Sequence, residues 1–154
     1  MPKPPTSSAS KTMPQTVADV LKTVNFIVLE DTFRLLKLPA NAISAAAGIV
    51  AEIGEPYTTL IVDKDEITLV IPDEAVEHFA HRIPDFEGDL TYKIITADAQ
   101  LEPDLIGFLA HLSAELAKNN VGFFPYAAYT RDHIMVPAEQ VDRAIETLNK
   151  LKQS

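Results

Sequence analysis

Residues 132–145 read DHIMVPAEQVDRAI, and residues 65–79 read DEITLVIPDEAVEHF. Each begins with Asp and a polar or charged residue, continues as an apolar run, and reaches a proline followed by an acidic helix start. The earlier copy carries two more residues between Asp and Pro. Two residues are one full strand period, so the facing of the strand is kept. Such an echo predicts two similar structural units, and what surrounds each copy gives their outline.

Around the earlier copy, NFIVLE (25–30) and FRLLKL (33–38) flank Asp31-Thr32 and predict a hairpin. Asn41 is suited to cap a helix in which Ile43, Ala46, Ala47, Val50 and Ile53 recur at helical spacing, with Gly54 closing it. YTTLIV and ITLVI, separated by Asp63-Lys64-Asp65-Glu66, predict a second hairpin, and Pro72 opens a short helix to about His81. Around the later copy, LTYKIITA alternates as a strand. Pro103 is expected to open a long helix with a Leu105, Leu109, Leu112 and Leu116 stripe, ended by Asn119-Asn120. VGFFPYAAY and HIMV form a hairpin across Thr130-Arg131-Asp132, and Pro137 starts a last helix with Val141, Ile145 and Leu148 on one face. Pro125 cannot donate to a ladder, so its strand belongs at a sheet edge or a bulge.

The order β-β-α-β-β-α followed by β-α-β-β-α predicts an α+β fold. Two ferredoxin-like units of βαββα type pack together, with antiparallel sheets and helices on one face. The expected division is a disordered tail over 1–20, a first unit over 21–86 and a second over 87–154. The tail is rich in Pro, Ser and Thr and lacks an apolar core, so it reads as neither a signal peptide nor a membrane anchor.

Composition narrows the function. The 154 residues are 47% hydrophobic, enough for a real core. A net charge of −9 argues against nucleic acid and anionic membrane surfaces as partners. The longest apolar run, residues 43–51, is too short to span a bilayer. The absence of cysteine excludes disulfides and thiolate metal ligands, and fits a reducing, cytoplasmic location. No G-x-S-x-G, P-loop or G-x-G-x-x-G occurs, so neither a catalytic nucleophile nor a cofactor is expected. His78 and His81, at i, i+3 near Glu74 and Glu77, read better as a solvated helix face than as a metal site.

The stretch GFLAHLSAELAKNNVGFFPYAAYTRDHIMVPAEQV (107–141) resembles the ACT-domain pattern. Its markers are a Gly-started helix at Gly107-Phe108-Leu109-Ala110, Leu116-Ala117 near the helix end, and a strand reaching the Tyr129–His133 turn. The resemblance, covering roughly 24–152, is to tandem ACT proteins related to the cytosolic arginine sensors of the mTORC1 pathway and to small bacterial and fungal ACT proteins. It implies paired ACT units and a non-catalytic regulatory role, with an amino acid held between units. By the same resemblance, one wall is the loop Asp104, Leu105, Ile106 and Gly107, and the other is Ala127, Ala128, Tyr129, Thr130 and Asp132. The sensors place a carboxylate in that loop to meet a guanidinium. Here the position is Leu105, with Asp104 beside it, which favours an apolar or small amino acid. The sensors carry four units and this chain two, so a homodimer or another protein partner would supply the rest.

Elementary chemistry supports part of this. A helix N-terminus suits a carboxylate, Gly107 allows close approach, and Asp132 suits an ammonium. The same residues also have plain structural readings. Asp132 and Thr130 are ordinary turn formers, Asp104 complements a helix dipole, and Tyr126 and Tyr129 serve as core or interface aromatics. The leading expectation is an amino-acid-binding regulatory module. A ligand-free interaction and assembly domain comes second, and an enzyme on a ferredoxin-like scaffold a distant third.

Overall fold

A computed structural model describes residues 13–152. The elements are α1 (Val17–Thr23), β1 (Asn25–Val28), β2 (Phe33–Pro39), α2 (Ile43–Ile53), β3 (Thr59–Val62), β4 (Glu66–Pro72), α3 (Asp73–Phe79), β5 (Thr91–Asp98), α4 (Phe108–Lys118), β6 (Phe124–Ala127), β7 (Asp132–Pro137) and α5 (Val141–Leu151). Among the described residues the seven strands form one antiparallel sheet, ordered β3-β4-β2-β5-β7-β6, with β1 also on β5. This is the ferredoxin-like α+β class that the β/α order predicts.

Strand alternation sorts the side chains. Leu36, Leu38, Ile67, Leu69 and Ile71 point from β2 and β4 into a core under α2 and α3. Ile95, Ala97, Ile134 and Val136 point from β5 and β7 into a second core under α4 and α5. The helices thus lie on one face. The opposite face carries Phe33, Val70, Tyr92, Ile94 and Met135 as a third apolar cluster. The sheet is curled, so that the Tyr57 ring, just ahead of β3, meets His133 of β7 edge-on at 5.3 Å.

The echoed segments fold alike. Pro72 (φ −53°, ψ 138°) and Pro137 (φ −51°, ψ 134°) each end a core strand and turn the chain into a helix. Their fixed φ stops the ladder and is already suited to a helix start. The charged hairpin between β3 and β4 forms as expected, with Asp65 N–H donating to the Asp63 carboxylate at 2.7 Å. Pro125 lies on β6, which pairs only with β7 and is an edge.

Four expectations need correction. First, β1 and β2 are no hairpin. Both run along the same side of β5: Val28 pairs with Ile95 and Phe33 with Tyr92, so five residues of one line span three of the other. The excess forms a bulge, because Thr32 O accepts from Asp73 N at 2.8 Å while Lys93 Nζ donates to Glu30 O. Second, order begins before residue 20. α1 starts in a capping box between Thr16 and Asp19 and buries Val20 and Leu21, with Val24 following, in the core beneath α4 and α5. The rest of the expected tail, residues 1–12, lies outside the described residues. Third, Pro103 does not open the long helix; residues 101–107 form a loop and α4 begins at Phe108. Gly107 forces the delay, since its φ of 92° is not helical. Fourth, Asn41 caps nothing: a 3₁₀ turn over Ala40–Ala42 precedes α2, and Ala46 and Ile49, not Ile43, are its buried residues.

Candidate functional site

The loop before α4 and the turn after β6 face each other. Leu101 N–H donates to Thr130 O at 2.7 Å, and Ala128 N–H to Arg131 O at 2.8 Å, so backbone bonds hold both walls. Between them is a cavity of about 360 Å³, within the size range of small-molecule sites. Of the expected residues it brings together Leu105, Gly107, Ala127, Ala128, Tyr129, Thr130 and Asp132. Asp104 and Ile106 are not on its wall; both side chains are exposed, Ile106 at 87%. The loop turns at this point, with Leu105 N–H donating to Glu102 O at 3.0 Å, and Pro103, Leu105 and Gly107 line the cavity while Asp104 and Ile106 do not.

The cavity is polar at defined points. At one end is the start of α4, where no side chain caps the helix. The first N–H groups of a helix lack intrahelical partners and carry its positive dipole end. Gly107 brings the backbone in at a positive φ that a side chain would strain. Two carboxylates line it as well, Asp132 on the turn opposite and Glu102 on the loop that leads into α4. Burial pushes the Asp132 carboxyl above its ordinary value, and the adjoining His133 pulls it partly back. Glu102, also on the wall, has its Oε2 buried without a hydrogen-bond partner. Arg131 reaches the wall too, with its guanidinium held by Asp98 at 3.1 Å.

Glu102 and Arg131 escaped the sequence reading. Taking Pro103 as a helix start left Glu102 outside the helix and without a role. The signal that could have found it is Gly107, which delays the helix and turns 101–107 into a site loop. A third element was also unexpected. Gln15, just ahead of α1, donates from Nε2 to Gln100 O at 3.0 Å and accepts at Oε1 from Glu102 N–H at 2.9 Å.

His133, beside Asp132, faces away from this cavity. It is buried on the helix-free face, with Nδ1 at 2.9 Å from Thr96 Oγ1 and its ring against Tyr126 and Tyr57. Burial holds its pKa below the ordinary value. His78 lies edge-on to Phe79, and among the described residues no group of His, Asp and Glu is arranged to hold a metal ion. Among those residues no helix is long and apolar enough to cross a membrane.

Known proteins share this architecture. A Vibrio cholerae protein of unknown function, described as a possible transport protein, superposes with a TM-score of 0.68 at 21% identity over 86% of this chain and 93% of its own. The Agrobacterium tumefaciens protein Atu0741 gives 0.66 at 17% identity over 84% and 89%. The ligand-free regulatory subunit of aspartate kinase from Thermus thermophilus gives 0.64 at 9% identity over 85% and 98%. At these identities the likeness concerns the fold. No curated protein sequence matches the chain. In sequence, residues 87–150, which contain both walls of the cavity, match the ACT domain family.

Proposed function

We propose that this protein is a non-catalytic regulatory protein that binds a free amino acid in the cavity between the 101–107 loop and the 127–132 turn. The observation that carries the reading is the Glu102 oxygen, buried without a partner on the loop that leads into the uncapped start of α4. A buried carboxylate oxygen left unpaired is costly, and an ammonium group would satisfy it. The helix start would take the carboxylate of the same ligand. Asp132, whose charged form burial disfavours, becomes easier to ionise beside a cation. The ACT domain match over 87–150 and the fold shared with an aspartate kinase regulatory subunit support the same class.

The ligand is an amino acid of small or apolar side chain. A guanidinium would need a carboxylate of its own. Asp104 lies outside the cavity wall, while Glu102 and Asp132 serve the ammonium. We divide the chain into a first unit over 33–86 and a second built from 17–28 with 87–151, because α1 and β1 share the second core. Tyr129 on the cavity wall and Ile106 next to it are 90% and 87% exposed. A second copy closing over them would complete the site and couple ligand binding to assembly. Those exposed apolar side chains also suit the alternative of an assembly domain that needs no ligand.

Thermal melts against each amino acid test the reading. A ligand at about a hundred times its Kd stabilises by about 2.7 kcal/mol, a rise of roughly 5–10 °C for a chain of this size. We expect one narrow class to give this rise, the matching 2-keto acids to give none, and Glu102→Gln and Asp132→Ala to lose it. No rise with any amino acid, together with a stable dimer that ignores all of them, would select the assembly domain.

A further inference from the structure

A larger cavity, of about 550 Å³, lies on the helix-free face of the sheet. The curl of the sheet makes it. β2, β3 and β4 supply one wall and β5, β6 and β7 the other, and the contact of Tyr57 with His133 joins the two sides of the curled sheet. Its floor is Val70, Tyr92 and Met135, all buried. Tyr92 and Phe124 stack edge-on at 5.8 Å on one side. Around the opening, Ile61, Leu90 and Phe124 stand 50%, 63% and 49% exposed. The cavity shares no lining residue with the one proposed for an amino acid.

The rim is charged, and unevenly. Glu66, Glu87 and Asp89 line it against a single Lys37, whose Nζ lies 3.9 Å from Glu66 and 3.5 Å from Glu87. The rim segment is fixed in place. Lys37 and Glu87 exchange backbone hydrogen bonds of 2.8 and 2.9 Å, and Arg34 donates twice to Gly88 O, at 2.6 and 3.2 Å. Three carboxylates against one ammonium make the opening attractive to a cation and repellent to an anion, and the chain's charge of −9 adds to this. An apolar interior with a negative rim at the mouth of a curled sheet recognises a molecule with an apolar or aromatic body and one positive group.

We propose that this cavity is a second small-molecule site, for a hydrophobic amine. The ring or branched body rests on Val70, Tyr92 and Met135, and the ammonium lies among Glu66, Glu87 and Asp89.

The chain has no tryptophan, so an indole probe can be excited beyond the tyrosine band without background from the protein. Tryptamine is titrated with the full chain and compared with indole-3-propionate, which has the same ring and the opposite charge. We expect saturable tryptamine binding with a blue-shifted emission, and binding of the propionate about tenfold weaker or less. Thr68→Phe, which fills the centre of the cavity, should abolish binding. Glu66→Gln with Glu87→Gln should bring the two probes together, and Asp132→Ala, in the other cavity, should change nothing. If Thr68→Phe does not fold, Ile61→Lys on the exposed β3 edge replaces it and should weaken tryptamine selectively. The proposal is overturned if the folded wild type binds no tryptamine at millimolar concentration, if both probes bind equally, or if the folded blocking variant still binds.

Discussion

Gln15 holds Glu102 in place through the backbone: its Oε1 accepts the Glu102 N–H at 2.9 Å while its Nε2 donates to Gln100 O at 3.0 Å. A side chain 87 positions earlier thus spans the stretch that presents the unpartnered carboxylate oxygen. Gln15→Ala removes both bonds. At about 0.5–1.5 kcal/mol each, with the bond to Gln100 exposed and that to Glu102 half-buried, stability falls modestly. The effect should also appear in binding. We expect Kd for the amino-acid ligand to rise about 3–10-fold, read by calorimetry, with Tm in the free state lower by a few degrees.

Stability should fall on mild acidification, and His133 is the cause. Burial lowers its pKa from 6.5, so the unfolded chain takes up a proton at a pH where the folded one does not. The folded state therefore keeps its full stability above pH 6.5 and loses it as pH drops through the window just below. His133→Asn should flatten that part of the Tm–pH curve. An unchanged slope would mean that the imidazole is not the titrating group.

Asp132 acts in the opposite sense and at lower pH. Its pKa is raised from 3.8, so its charged form costs stability once pH exceeds that value. In the absence of ligand, Asp132→Asn should raise Tm at neutral pH, with the gain vanishing below pH 3.8. The same variant should bind an amino acid less well, a trade of stability for function.

Gly88 has φ of 130°, and a Cβ there would run into the Leu35 carbonyl oxygen. Gly88→Ala should cost about 2–4 kcal/mol and loosen the Lys37–Glu87 bridge. Denaturant unfolding would measure the cost, and a neutral result would show that the rim segment around Gly88 can shift without penalty.

A chain starting at Leu29 should not fold cooperatively. It would lack Val20, Leu21 and Val24, each buried beneath α4 and α5, and burial of such side chains is worth about 1.5–3 kcal/mol apiece. That sum rivals the roughly 5–15 kcal/mol of a whole domain. Loss of protection in β5 amides on hydrogen exchange would locate the damage. A cooperative melt would refute the assignment of the N-terminal segment to the second core.

Local chemistry was legible along the chain. The apolar runs ITLVI and HIMV, the prolines at 72 and 137, the glycine at 54 and the charged turn at 63–66 act over a few residues, and their elements formed where the residues call for them. So did the opposition of the Gly107 loop and the 127–132 turn, on the strength of a family pattern. What stayed hidden depends on distance in the chain. NFIV and FRLLKL each read correctly as strands, yet only the tertiary structure decides that both pair with β5, since pairing partners compete for the same backbone groups and local sequence does not rank them. The register of β1 in turn carries α1 into the second core and brings Gln15 to Glu102. The curl that closes the larger cavity is likewise a property of seven strands together. Periodicity and turn chemistry determined the class of fold, and the two facing walls were expected from the family resemblance alone. The long-range pairing of the sheet decided which side chains meet.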